Sequence, residues 1–121
     1  MSTVLVVDKN PALREAIANL LLQNGISVQE AADGKEAIEK VQSRAPDLVI
    51  TDIVMPWING YELCQWLKTE ASLKPRIPVV ICSNRNNEFD RYWGKKKGAD
   101  AFINKPLQAG ELIETVKQFF V

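Results

Sequence analysis

Leu48-Val49-Ile50-Thr51-Asp52-Ile53-Val54-Met55-Pro56 is an apolar run that ends in a carboxylate and is turned away by a proline. A run of this length with β-branched residues reads as a strand buried on both faces, the pattern of a parallel sheet covered by helices. A carboxylate at its end is costly to bury unless it has a task. Three more polar residues close similar runs: Asp8 follows Val4-Leu5-Val6-Val7, Ser83 follows Val79-Val80-Ile81-Cys82, and Lys105 comes just after the weaker run Ala101-Phe102-Ile103. In an open parallel sheet the carboxyl ends of the strands line one crevice. Asp8, Asp52, Ser83 and Lys105 are therefore expected to converge, although they are far apart in sequence.

Helical periodicity fills the intervals between these runs. Asn10-Pro11 is an N-cap followed by proline at the first helical position, and Leu13, Ile17, Leu20 and Leu21 then recur on one face until Gly25. Ser27 to Ala31 is a more polar strand, read as a sheet edge. Asp33 to Glu36 has capping-box spacing and opens a helix carrying Ala37, Ile38 and Val41, and Pro46 closes the connection to the next strand. A third helix from about Gly60 to Glu70 presents Leu63, Cys64 and Leu67, followed by a loop from Lys74 to Pro78. Asn84 to Asn87 reads as a turn, and a fourth helix runs from about Glu88 to Lys97, stopped by Gly98. The last helix, about Ala109 to Phe120, turns Leu112, Ile113, Val116 and Phe120 inward. Five strand-helix alternations define an α/β, doubly wound fold, and no repeat or linker divides residues 1–121, so a single domain is expected.

Composition limits the function. With 121 residues and 46% hydrophobic content the chain supports one ordinary core. Fifteen basic residues balance fifteen acidic ones, so no global field draws it to nucleic acid or to an anionic membrane, and neither is expected as a partner. The start lacks a signal-peptide pattern and no stretch approaches a membrane span, so a cytoplasmic location is expected. Cys64 and Cys82 are not in a C-x-x-C arrangement and read as reduced core thiols. There is no histidine, which removes the commonest general base and metal ligand.

Val6-Val7-Asp8, Thr51-Asp52-Ile53-Val54-Met55-Pro56 with Asn59-Gly60, Ser83, and Gly98-Ala99-Asp100 leading to Lys105-Pro106 resemble the receiver domain of bacterial response regulators, the CheY-like family. The likeness covers essentially the whole chain in the right order and spacing. It implies a flavodoxin-like (βα)5 fold with a parallel five-stranded sheet in the order 2-1-3-4-5, an order that belongs to this fold and is not an independent deduction from the pattern. It further implies that Asp52 is the phosphoacceptor, taking a phosphoryl group from a phosphohistidine on a partner histidine kinase or phosphotransfer protein. Lys105 would neutralise charge and Ser83 would donate to a phosphoryl oxygen. The protein would then be a switch rather than an enzyme. The Lys105-Pro106 bond is cis in the family, which proline permits at small cost.

By the same resemblance, magnesium is held by Asp8 through water, by Asp52 and by the backbone carbonyl of Val54. One departure bears on this. The family usually carries a second acidic residue directly after the first, and here that position is Lys9. Magnesium demands oxygen ligands, and like unit charges about 4 Å apart repel by roughly 4 kcal/mol at an effective dielectric of 20. Magnesium binding is therefore expected to be weakened. Two readings stay open: the site still accepts phosphate, or the chain is a degenerate pseudo-receiver acting as a phosphorylation-independent interaction module. Asn84 takes a position that is usually small, and Phe102 one that is often tyrosine. The family's output face comprises the fourth helix, fifth strand and fifth helix. Trp93-Gly94-Lys95-Lys96-Lys97, an aromatic beside three cations and a mid-helix glycine, points to a downstream protein contact there, with Trp93 as anchor.

Rivals fare worse. An aspartyl-phosphate phosphatase of the haloacid dehalogenase type carries a second aspartate two residues after the nucleophile, where this chain has Val54. A flavin carrier would want a hydroxyl- and glycine-rich loop where Lys9-Asn10-Pro11 stands.

Overall fold

The computed structural model describes residues 2–70, 72–73, 76–85 and 87–120. Its elements alternate as the periodicity predicts: β1 Thr3–Val7, α1 Pro11–Gln23, β2 Ser27–Ala31, α2 Gly34–Ser43, β3 Leu48–Thr51, α3 Gly60–Thr69, β4 Val79–Ser83, α4 Glu88–Lys96, β5 Ala101–Asn104 and α5 Ala109–Lys117. All strand pairs are parallel, and the sheet order is β2-β1-β3-β4-β5. The fold class is as expected. The expected loop at Lys74 to Pro78 and turn at Asn84 to Asn87 lie partly outside the described residues.

Alternation along each central strand sends side chains to two cores. Val4 and Val6 of β1, Leu48 and Ile50 of β3, and Val80 and Cys82 of β4 face Ile17, Leu21, Leu112 and Val116 of α1 and α5. Leu5, Val7, Val49 and Val79 face Ala37, Val41, Leu63, Cys64 and Leu67 of α2 and α3. Removing one of the fully buried leucines costs about 2–5 kcal/mol, so the two layers fix the register that brings the strand ends level.

The helix starts follow the sequence signals. The Asn10 side chain accepts from the amides of Ala12 and Leu13, Asp33 accepts from Glu36, and Asn59 with Glu62 completes a capping box. Gly25, at φ +76°, and Gly98, at φ +103°, follow α1 and α4 as read. Both core thiols are free and buried, and burial pushes each up to about 11. Two ends differ from expectation. α5 stops at Lys117, and Ile113 and Phe120 are only partly buried at the core margin.

Gly94 explains itself in this packing. A β-carbon there would lie 3.2 Å from the Ile81 side-chain tip and 3.6 Å from the Phe102 ring, so glycine lets the helix sit close on β4 and β5, and a side chain would press Ile81 aside by a few tenths of an ångström.

Candidate functional site

Register places the four candidates. Val7 pairs with Thr51 and Thr51 with Ile81, so Asp8 and Asp52 each stand one residue beyond a paired level. The Asp52 amide donates to the Val7 carbonyl at 3.2 Å, locking the two strand ends together. Ser83 pairs with Asn104, and the Lys105 amide donates to the Ser83 carbonyl at 3.0 Å. The bond from Lys105 to Pro106 is cis.

Lys105 ties the cluster. Its Nζ donates to Asp8 Oδ2 at 2.9 Å and to Asp52 Oδ2 at 3.1 Å. Partial burial disfavours the ammonium, but the hydrogen bonds and charges of the two aspartates outweigh this and raise its pKa above the ordinary lysine value. The remaining carboxylate oxygens are held by backbone: Asp8 Oδ1 accepts from the Asn10 amide at 2.9 Å and Asp52 Oδ1 from the Ile53 amide at 2.6 Å. Gly60 makes this strand end possible, because a β-carbon there would meet the Asp52 carbonyl oxygen at 2.1 Å. Ser83 is buried, and its Oγ accepts from the Arg85 amide at 3.1 Å, which leaves its own proton free to be donated.

The mouth of the site is formed by the loop after β3. Val54 is 42% exposed and Trp57 is 81% exposed. The Ile58 amide donates to the Pro56 carbonyl at 2.8 Å and Trp57 has φ +70°, a tight turn in the left-handed region where a bulky side chain is rare. Lys9 and Asn84 are exposed, and the Lys9 side chain makes no ion pair or hydrogen bond among the described residues.

The family that the sequence resembles typically holds magnesium at the position of this pocket. Here the donor set fits it poorly: among the described residues no three acidic or thiol side chains converge, Lys9 stands in place of a carboxylate, and Lys105 already bridges both aspartates.

Two features escaped the sequence reading. Arg14 of α1 donates to the Asp8 carbonyl at 2.7 Å while its Nε pairs with Glu30 at 3.1 Å, bracing β1 against β2 below the site. The second is a buried acid on α4. Asp90 is 2% exposed, pairs with Arg85 at 3.3 Å and accepts from the Tyr61 hydroxyl at 3.1 Å, joining the β4 to α4 loop to α3. Burial and the bond to Asp90 push Tyr61 up to about 12. Asn87-x-x-Asp90 is visible as helix-start spacing, and the Asp90 amide does bond Asn87 at 2.8 Å, but nothing local announces that the acid is buried.

Trp93 is placed differently from expectation. The flank of α4 that meets β5 carries Arg91, whose guanidinium lies 4.9 Å from the Phe102 ring centre and donates to Asn104 at 2.7 Å, together with Lys95. Trp93 is half-buried on the other flank, near α3. Two residues of helix rotate a side chain by about 200°, which is why the tryptophan and Arg91 cannot share a face.

With the site in place, the class is clear. The response regulator receiver domain model matches residues 4–117, and the chain belongs to this family of two-component signalling proteins. Protein PilH of Pseudomonas aeruginosa is 32% identical over 116 residues, covering 96% of this chain and 95% of that protein. Protein PilG of the same organism is 32% identical over 114 residues, covering 94% of this chain and 84% of that protein. Response regulator MprA of Mycolicibacterium vanbaalenii is 34% identical over 114 residues, of which this chain spans only 48% of the length. Among solved structures, chemotaxis protein CheY4 of Vibrio cholerae superposes with a TM-score of 0.91 at 28% identity, covering 98% of each chain.

Proposed function

We propose that this chain is a phosphoacceptor switch in which Asp52 takes a phosphoryl group from a phosphohistidine on a histidine kinase or phosphotransfer protein. The observation that carries the reading is one ammonium shared between two strand-end carboxylates, Lys105 between Asp8 and Asp52. An Asp52 carboxylate oxygen attacks phosphorus, the P–N bond to the donor imidazole breaks, and the departing ring nitrogen takes that electron pair and uses it to bind a proton from solvent water, leaving as neutral imidazole. Lys105 shifts its bonds from carboxylate toward the new phosphoryl oxygens, and Ser83 donates its proton to one of them. Residues 1–121 contain no histidine, so the donor imidazole lies outside them.

Asp8, Asp52 and the Val54 carbonyl are the groups that would meet magnesium, and Lys9 weakens that binding. The phosphorylated domain signals onward in the cytoplasm by protein contact through α4, β5 and α5, where Arg91 and Phe102 pack together.

Intact-mass measurement after incubation with acetyl phosphate, with and without magnesium, tests the reading. The native chain should gain one phosphoryl mass and Asp52→Asn none. An adduct that persists in Asp52→Asn refutes the assignment, and no adduct on the native chain leaves a phosphate-independent interaction module in its place.

A further inference from the structure

α4 has three faces; two pack on the fold, and the third touches α3 only at its edge, where Lys97 donates to Gln65. Asp90 and Gly94 point inward, and Arg91 and Lys95 lie toward β5. The third face carries Phe89, Tyr92, Trp93, Lys96 and Lys97, the spacing of one continuous helical stripe. We propose that this stripe is a docking surface, separate from the β5 side, for a protein segment that presents an apolar side chain next to a run of carboxylates.

The rings are arranged to bind. Phe89 is 65% exposed and Tyr92 57% exposed, an apolar surface that water meets at a cost of about 25 cal/mol per Å². Both pack edge-on against the half-buried Trp93, with centroids 6.1 and 5.8 Å apart. The ridge is thus held in one shape before any partner arrives, which lowers the entropy lost on binding.

The charge identifies the occupant. Lys96 Nζ lies 5.6 Å from the Tyr92 ring centre, and Lys97 Nζ lies 5.8 Å from that of Trp93 and donates to Gln65 of α3 at 3.3 Å. Among the described residues no carboxylate pairs with Lys95, Lys96 or Lys97. The chain as a whole is neutral, so three consecutive unpaired lysines are a local excess of positive charge, with Asp100 near Lys95 already paired to Lys68. An acidic segment is its complement. A membrane surface fits less well. A helix lying in an interface keeps its apolar face along its whole length with cations on the flanks, whereas here aromatics fill the first half and cations the second. A partner with an apolar knob followed by acids matches that lengthwise division.

The test uses the whole unphosphorylated chain and a short tryptophan-free helical peptide with a Leu-Phe pair followed by a glutamate-rich turn. Amide chemical-shift mapping should place its binding on Gln65 and residues 89–97. Phe89→Ala with Tyr92→Ala should weaken it at least about tenfold, with only a small fall in melting temperature from the lost contacts to Trp93, because both rings are largely exposed. Lys96→Gln with Lys97→Gln should flatten its salt dependence. Any of three results overturns the proposal: no binding at about 1 mM, equal binding by a peptide lacking the Leu-Phe pair, or shifts confined to residues 101–104 and 109–117. Preference for phosphatidylglycerol vesicles over the peptide overturns it in favour of a lipid surface.

Discussion

Two clusters of buried acid lie at the same end of the sheet and are built to opposite ends. In the first, Asp8 and Asp52 share the single ammonium of Lys105. In the second, the single carboxylate of Asp90 is met by both the Arg85 guanidinium and the Tyr61 hydroxyl. The first has more negative charge than its donors neutralise, and an electron pair remains available for an electrophile. The second balances one carboxylate against one guanidinium, both donors meeting Oδ1, and it joins a loop to a helix. Excess charge at strand ends is what the proposed phosphoacceptor role requires, while a paired acid joining two elements serves architecture.

The comparison breaks most visibly in stability. Asp90→Asn should cost about 2 kcal/mol, since Arg85 loses its charged partner and a buried hydrogen-bond network is left incomplete. Asp52→Asn relieves an acid excess, so its stability should equal or exceed that of the native chain. Urea titration of both variants at neutral pH measures this. Equal losses would show that the Asp52 cluster is as structural as the other.

Lys9 sharpens the contrast from the metal side. Lys9→Asp adds a third carboxylate and changes the local charge by two units, and magnesium affinity should rise by about tenfold or more. Isothermal titration of the two forms decides it. If the affinities match, the exposed Lys9 side chain points away from the pocket in solution.

Most of this was legible before any coordinates. The apolar runs, the Asn10-Pro11 and Asn59-Gly60 starts and the convergence of Asp8, Asp52, Ser83 and Lys105 follow from local pattern and one topological rule. Lys105 was legible as a cation at a strand end, but its bridge to both aspartates depends on distances between strands. Asp90 was not legible at all as a buried acid, because its burial is decided by Tyr61 and Arg85, which arrive from other elements. The flank on which Trp93 lies was hidden for a similar reason. Sequence shows that aromatic and cations are neighbours, but only the seating of Gly94 on Ile81 and Phe102 fixes which way the helix is turned.

Alkaline pH separates the clusters less sharply but in a defined direction. Lys105 has a raised pKa in the fold, so its stabilisation is complete below the ordinary lysine value of about 10.4 and is lost as pH climbs through the raised one. Tyr61 is pushed up to about 12 from 10.0, so the neutral phenol's contribution is full below that lower value and is lost between the two. Stability should therefore fall from about pH 10 upward, beyond what lysines at ordinary values give. Tyr61→Phe should start lower at pH 8 and lose less by pH 11. Parallel decline of the two proteins would mean that Tyr61 titrates as a free phenol.

The smallest effect concerns Trp57, on the loop above the reactive cluster. Its φ of +70° is the kind of backbone position that glycine adopts freely and a bulky residue adopts at a cost of order 1 kcal/mol. At 81% exposure its ring returns little burial to offset that cost. Trp57→Gly removes the strain, although glycine also gains freedom in the unfolded chain, which takes back part of the benefit. The net expectation is a gain of about 0.5 kcal/mol, seen as a rise of roughly 2 °C in melting temperature. Among the described residues no comparable outlier lies on the Arg85, Asp90 and Tyr61 side, so the rise should be specific to the Asp52 end. A fall in melting temperature would mean that the ring packs on the loop in solution and holds the mouth of the site in shape.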